Sequence, residues 1–485
     1  MVPLGEEDYM LASETRRIAV IGGGISGLAA AHRLRELAPH CQVTLFEASG
    51  RLGGVVSTVH RDGFQVEQSA DNFITTVPWG LDLCQRLGLT GQLVQTNANC
   101  RRTFVVRRNR LYRLPDGFLM MAPTQLWPLA VTPILSPLGK LRAAMEYLIP
   151  PRRDDDDESM AQFVRRRLGR ETFDRLVEPL VSAVYAADME KLSVKATLSR
   201  FREMEKQHGS LIRAMRHQMK QRPNSKAESG ARYSMFVTLS EGLGTLVDAI
   251  TAKLPPESIR LNTPIEKIER SGNAWRLFPA RQAEFAEFDA LVIAIPTHRA
   301  GPLLAPIDSE LATDLEQIEY SGTAIVSLGC DLRQVGHPLD GMGAVVPGIE
   351  NSPILACSFS SQKYPHRAPA GKTLLRVFVG GARRPDLAEM PDAQLLPLVM
   401  EHLRPLLRIE GQPVFCDIAH WPRTMPQYHV GHQQRVARIE ARVALWPGLK
   451  LAGSAFRGVG LPDCIHGGEQ AAEQLLGAAK TAVRA

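Results

Sequence analysis

Short apolar runs recur along the chain, and most are closed by glycine or proline. Ile18-Ala19-Val20-Ile21 is the first. Four apolar residues without alternation predict a strand buried on both faces, as in a parallel sheet. Gly22-Gly23-Gly24-Ile25-Ser26-Gly27 follows, and Ala29 to Arg35 then reads as a helix. A second strand is predicted at Gln42-Val43-Thr44-Leu45-Phe46 and ends in Glu47. Val55 to Val59 and Phe64 to Glu67 flank Arg61-Asp62-Gly63, which predicts a hairpin. A helix is expected from Pro78 to Leu87.

The pattern changes after Thr103. Phe104-Val105-Val106 and Leu111-Tyr112-Arg113-Leu114 predict a second hairpin around Arg107-Arg108-Asn109-Arg110. Phe118 to Pro151 is apolar and punctuated by five prolines between 123 and 150, with Lys140 and Arg142 interleaved. Helical periodicity runs from Ser159 to about Lys220, with a polar break at 222–230. A further helix is expected after Ser240-Glu241-Gly242-Leu243-Gly244. Strand character returns at Ile259 to Ile268 and Ala290 to Ile295. Several β-rich runs between Thr323 and Val379 predict a second sheet. Near the end, Leu449 to Ser454, the turn Gly458-Val459-Gly460-Leu461 and a final helix repeat the order strand, glycine-rich turn, helix.

The first glycine turn fits G-x-G-x-x-G in its full context of strand, helix and a later acid. Gly22 permits the tight turn and Gly24 the approach of a pyrophosphate. Gly27 lets the helix pack close to the strand. The helix N-terminus offers free N–H groups to phosphates. Glu47, twenty positions after Gly27, suits a ribose hydroxyl. Gly50-Arg51-Leu52-Gly53-Gly54 and the C-terminal turn add two more glycine-rich segments. A nicotinamide site does not call for a glycine turn at the chain end. A flavin does, because its ring lies far from the adenine. FAD is therefore the expected cofactor.

Size and charge refine this picture. A chain of 485 residues exceeds one typical core, so two or three lobes are expected. The net charge of +6 suits an anionic membrane surface or an acidic substrate, though a solvated surface is the commoner case. No nucleic-acid motif and no metal-ligand spacing is legible. Seven scattered cysteines without C-x-x-C suggest a reducing cytoplasm. Met1 to Arg17 lacks the apolar core of a secretory signal. No run is long enough for a spanning helix.

The chain resembles the flavin-containing amine-oxidase superfamily and, within it, the protoporphyrinogen/coproporphyrinogen oxidases. The resemblance runs from about Arg16 to the end. It is carried by Val66-Glu67, Asp71-Asn72-Phe73, Leu111 to Pro115, Ser240 to Gly244, Ala294-Ile295-Pro296, Pro426-Gln427-Tyr428 with Gly431-His432, and Val459, Leu461 and Asp463-Cys464-Ile465. It implies FAD contacts from Gly22, Gly23, Gly24, Ile25, Ser26 and Gly27, and from Glu47 and Ala48. Arg51, Gly54 and Val55 should lie near the diphosphate and flavin. Ser69, Ala70, Asp71 and Asn72 match a loop beside the isoalloxazine, where the family usually has Gly-Pro in place of Ser69-Ala70. Ile265 matches an adenine-side position. Ser454, Val459, Gly460 and Leu461 match contacts to the pyrimidine side of the ring.

The resemblance also implies a function. The expected reaction is oxidation of a porphyrinogen to the porphyrin in haem biosynthesis, with molecular oxygen as acceptor and peroxide as product. No side-chain acid or base is expected to be indispensable, because the cofactor carries the chemistry. Some coproporphyrinogen-type members carry a lysine soon after the Asp-x-Phe piece. This chain has Ile74-Thr75-Thr76-Val77-Pro78, which tilts the reading towards protoporphyrinogen IX, with coproporphyrinogen III as the alternative. Arg102 is the expected propionate partner, with a surface arginine as the competing reading. Phe73 and Tyr428 are expected to wall the cleft, with plain core packing as their alternative.

The fold class expected is α/β: a Rossmann-like FAD domain (16–87, 232–300 and 441–485), a β-rich substrate domain (301–440) and a largely helical subdomain (88–231). Phe118 to Pro151 within the last is expected to rest on the cytoplasmic face of a membrane as a peripheral surface. A homodimer stays open. The rival readings are an amine oxidase or desaturase, for which Ala455-Phe456-Arg457 supplies no aromatic cage, and a flavin-fold membrane scaffold.

Overall fold

The computed structural model describes residues 16–221, 236–280 and 284–482. The lead segment before Arg16 and the polar break at 222–230 lie outside the described residues.

Five parallel strands form the nucleotide-binding sheet. Their spatial order is Ile259–Arg260, Gln42–Phe46, Arg17–Ile21, Ala290–Ile293 and Leu449–Leu451. Ile18, Ala19 and Val20 are fully buried, as a continuous apolar run in a covered parallel sheet requires. Helix Ile25–Leu37 packs on one face, and the C-terminal helix Leu461–Ala482 runs against it. Gly468 makes that crossing possible: a Cβ there would lie 2.1 Å from the Ser26 carbonyl oxygen. Strands Ile265–Ser271, Ala274–Pro279 and Ala286–Phe288 form an antiparallel meander on the opposite face, around the buried Trp275.

The second sheet has seven strands. They run in the order Phe415–Pro426, Tyr320–Asp331, Lys372–Gly380, Ile354–Phe359, Gly343–Val345, Thr103–Arg107 and Arg110–Arg113. All neighbours are antiparallel except Gly343–Val345 with Thr103–Arg107. Helix Asp392–Leu407 covers one face through Leu395, Val399 and Leu403. On the other face, Val105, Val345, Ala356 and Phe378 meet the helical region.

The hairpin at 103–113, grouped from sequence with the helical residues 88–231, thus hydrogen-bonds into the β-rich sheet. Its partner strand lies more than two hundred residues away, so local pattern could not reveal it. The strand expected at Val55 to Val59 starts later, at Thr58, and ends at Arg61. Gly53 and Gly54 both adopt positive φ (+100° and +59°), and the Arg51 guanidinium gathers the carbonyls of Leu52, Gly54 and Val56. That wrapped loop is incompatible with an extended strand.

Helices Leu126–Val131, Pro137–Ala144, Met160–Leu168, Glu178–Tyr185, Val194–His208 and Leu211–Gln221 make the helical region. It carries a buried ionic network. Arg167 pairs with Glu146, while Glu205 meets Arg166 and Arg202 at 2.5 Å each. Arg142 donates to the carbonyls of Arg165, Arg166 and Arg167 in the last turn of helix Met160–Leu168, where the Arg165 carbonyl also accepts Gly169 N–H. Among the described residues, no helix is long and apolar enough to cross a membrane.

Candidate active site

The three glycine-rich segments converge at the C-terminal ends of the parallel strands. Gly53 N–H donates to the Gly23 carbonyl at 2.8 Å, and Gly24 bridges Gly53 in parallel register. The C-terminal helix crosses the first helix two turns in from its start, at Gly468 and Ser26. Ligands of doubly wound sheets bind at this end.

Each glycine of the first turn has a different reason to be glycine. Gly22 adopts φ +107°, and a Cβ there would lie 2.6 Å from the Ala294 carbonyl oxygen. A Cβ on Gly27 would lie 1.9 Å from the Gly22 carbonyl oxygen. Gly24 is the open one. Its backbone is extended (φ −69°, ψ 174°), and the only atom near an added Cβ is the Gly54 Cα at 4.0 Å. Sterics within the protein therefore demand glycine at 22 and 27, whereas at 24 they leave room for a side chain. The first bond of the helix runs from Leu28 N–H to the Gly24 carbonyl. The N–H groups of Ile25, Ser26 and Gly27 thus have no intrahelical acceptor, and the positive end of the helix dipole sits there. This donor set and open cradle fit a pyrophosphate.

Glu47 stands at the end of the second strand. One carboxylate oxygen accepts Gly23 N–H and the other accepts Ser49 N–H, both at 2.7 Å. Glu47 therefore shapes the glycine turn, and each oxygen keeps a lone pair for a ribose hydroxyl. Ala48 is exposed beside it. Thr263 N–H donates to the Glu47 carbonyl, which brings Ile265 to the same corner. The strand pairing slips between Ile265 and Lys267, a bulge that releases backbone next to Ile265. Gly54 and Val55 are exposed on the Arg51-wrapped loop.

Loop Ser69–Asn72 is pinned to the seven-stranded sheet. Trp421 Nε1 donates to the Gln68 carbonyl at 2.6 Å, Arg376 to the Ser69 carbonyl and Arg367 to the Asp71 carbonyl at 2.8 Å. The family's Gly-Pro is not needed for this path, since none of residues 69–72 adopts positive φ. Ala70 stays exposed. The Asp71 carboxylate meets Lys363 at 3.2 Å, Arg376 at 3.4 Å and Arg367 at 3.5 Å. Burial alone would raise its pKa, but the Lys363, Arg376 and Arg367 charges outweigh that and hold it far below the usual carboxylate range. Burial pushes the nearby Glu67 carboxyl up, although Arg367 lies at 3.5 Å and Leu243 N–H at 2.9 Å.

The C-terminal turn is held from below. Tyr428 donates its hydroxyl proton to the Ser454 carbonyl and accepts Gly458 N–H at 2.8 Å. Its ring stacks on His432 with centroids 3.9 Å apart, and His432 Nε2 contacts the Phe456 carbonyl at 3.2 Å. Val459 borders the apolar cluster shared with the helical region, Gly460 is half-buried and Leu461 is buried at the start of the last helix.

The three expected substrate residues are each engaged with other protein groups. Phe73 is only 3% exposed and packs into the core of the nucleotide domain against Gly80. Tyr428 is 2% exposed and is committed to the turn. Both are buried because aromatic area is worth more in a core than on a wetted wall. Arg102 has a half-exposed side chain paired with Asp340, which also meets Arg113 at 3.2 Å. It sits in a surface ion pair at the sheet edge. Sequence reasoning missed Lys363, Arg367 and Arg376. The available signal was Arg376 itself, a charge in the middle of the apolar strand run Thr373 to Val379.

The family model of the flavin containing amine oxidoreductases matches residues 25–476. The chain belongs to this family. As a flavin containing amine oxidoreductase it is an FAD-dependent oxidoreductase. Coproporphyrinogen III oxidase of Bacillus subtilis is 34% identical over 468 residues, 95% of this chain and 98% of that protein. Chloroplastic protoporphyrinogen oxidase of Nicotiana tabacum is 31% identical, over 94% of this chain and 85% of that protein. A crystal structure of an Exiguobacterium sp. 255-15 protein named for protoporphyrinogen oxidase matches with a TM-score of 0.85 at 32% identity, covering 95% and 98% of the two chains. The preference for protoporphyrinogen IX expected from Ile74-Thr75-Thr76 gains no support here. The bacterial coproporphyrinogen relative exceeds the plant enzyme in both identity and coverage. A single absent lysine is a weaker signal than agreement along the whole chain.

Proposed function

We propose that the chain oxidises coproporphyrinogen III to coproporphyrin III, with FAD as cofactor and molecular oxygen as acceptor. The observation that carries this reading is the full-length similarity to coproporphyrinogen III oxidase, joined to a glycine cradle open at Gly24. Bound there, FAD supplies the hydride acceptor for the methylene bridges of the macrocycle and the route for electrons to oxygen.

The chain's own residues bind and orient. The turn Gly22–Gly27 and the first helical N–H groups take the pyrophosphate, and Glu47 and Ile265 take the adenosine end. Arg51 fixes the loop that carries Gly54 and Val55 under the diphosphate. Ser69, Ala70, Asp71 and Asn72 would border the ring, and Ser454, Val459, Gly460 and Leu461 would hold its pyrimidine side. An apolar cleft beside the ring, with one or two cations for the propionates, suits the macrocycle. Aerobic turnover of the purified FAD-loaded protein with each porphyrinogen tests this function.

The helical region supplies a lipid-facing surface in this reading. Trp127, Leu138 and Leu148 are 76%, 79% and 76% exposed, and Val131, Leu141, Met145 and Tyr147 extend the patch. Apolar exposure on that scale in one segment marks an interaction surface. Lys140 and the Arg107–Arg110 turn adjoin it, since Arg107 donates to the Pro133 carbonyl, and these cations suit anionic headgroups.

A further inference from the structure

Behind loop Ser69–Asn72, three cations face two carboxylates inside the protein. Lys363 Nζ lies 3.2 Å from both Asp71 oxygens, and the Arg376 and Arg367 guanidinia reach the same carboxylate at 3.4 and 3.5 Å. Arg367 lies 3.5 Å from Glu67. Arg367 and Glu67 are fully buried, and Arg376 is 1% exposed. With both acids ionised the group carries one surplus positive charge. Burial pushes the Glu67 carboxyl up and the Lys363 ammonium down, with opposite effects on the surplus.

A buried, unbalanced charge is costly unless a counter-charge reaches it. The cluster also keeps donors in reserve. Arg367 Nε and Arg376 Nε are buried without a hydrogen-bond partner, as is Ser69 Oγ on the loop. Ser69 belongs to the loop that borders the isoalloxazine ring in the reading above, and Arg376 and Arg367 hold that loop's backbone. Ring phenyl groups add no negative charge: Arg367 and Lys363 lie over Tyr364, and Arg376 over Phe378. Protein groups thus leave the surplus uncompensated.

We propose that Lys363, Arg367 and Arg376, held in place by Asp71, form a buried cationic floor that sets the electron affinity of the bound flavin. The inference rests on the FAD reading of the site. In the reaction, a substrate C–H bond breaks and two electrons leave with one proton as hydride. The neutral oxidised ring gains one negative charge, and the substrate loses a pyrrole N–H proton to solvent. The floor favours the side of that balance on which the ring is anionic. Asp71 has a double role as a positioning residue: it organises the three cations and tempers their charge.

The test uses the FAD-loaded full chain and requires no porphyrinogen. Flavin potential is measured by dye equilibration, and sulfite affinity by bleaching of the flavin band, since sulfite adds an anion to the ring. Lys363→Met weakens sulfite binding about tenfold and lowers the potential by about 30 mV, the equivalent of a factor of ten for two electrons. Asp71→Asn shifts both in the opposite direction, and Lys363→Arg stays within about threefold of the parent. General damage to the site moves all variants the same way. Parallel shifts in Lys363→Met and Asp71→Asn, or no shift in either, overturn the proposal. Where Lys363→Met does not fold, Asp71→Asn decides alone: an unchanged or lowered potential overturns it. A parent chain that holds no FAD sinks the functional reading first, and a loaded chain inert to porphyrinogens leaves this test intact.

Discussion

The hydroxyl of Tyr428 accepts the backbone N–H of Gly458 at 2.8 Å, thirty residues along the chain, while donating to Ser454 on the other side of the same turn. One buried phenol thereby fixes both ends of the segment proposed to close the flavin's pyrimidine side. Tyr428→Phe removes a hydrogen bond from each of a part-buried N–H and a part-buried C=O, at about 0.5–1.5 kcal/mol each. The expected result is a lower melting temperature together with faster FAD loss on gel filtration. Unchanged flavin retention counts against the clamp.

The glycines of the first turn separate binding from folding. The Cβ of Gly24→Val meets only the Gly54 Cα, at 4.0 Å, and the backbone is an allowed one, so the variant should fold with a near-parental melting temperature and lose FAD. Gly27→Ala drives a methyl into the Gly22 carbonyl and lowers the yield of folded protein. Thermal melts and the flavin absorbance of the two purified variants check the contrast. Full flavin occupancy in Gly24→Val contradicts the pyrophosphate assignment.

His432 adds a pH dependence to the same turn. Burial lowers its pKa to about 4, below the ordinary histidine value, so the folded ring stays neutral where an unfolded one would be charged. The unfolded state then binds the extra proton as pH falls from about 6.5 towards about 4, and stability falls across that window. His432→Phe keeps the stack on Tyr428 and removes the titration. Its melting temperature should vary less than the parent's between those pH values.

The exposed patch predicts lipid binding. Leu138→Asp should reduce co-sedimentation with vesicles containing anionic lipid several-fold, at unchanged melting temperature, because Leu138 is 79% exposed. Equal sedimentation of parent and variant removes the patch from any membrane role.

The sequence made the glycine turn legible because its requirements are local: a strand, a turn and a helix N-terminus within a dozen residues. Glu47 followed from spacing alone. The hairpin at Thr103–Arg113 was legible as a hairpin, but its place in the seven-stranded sheet depends on pairing with Gly343–Val345. Phe73 and Tyr428 show the converse limit. Aromatic residues inside matching motifs were expected at a cleft, yet Phe73 fills a core and Tyr428 ties down a turn. Lys363 and Arg367 stand in Lys363-Tyr364-Pro365-His366-Arg367, which reads as a polar loop. Their role needs Asp71, nearly three hundred residues earlier, and no spacing rule connects them.

The central claim is tested most directly by turnover. The purified FAD-loaded protein is mixed in air with coproporphyrinogen III or protoporphyrinogen IX, and porphyrin fluorescence and peroxide are followed together. The account predicts both products from coproporphyrinogen III, with the larger kcat/KM on that substrate. A yellow protein that oxidises neither porphyrinogen contradicts it.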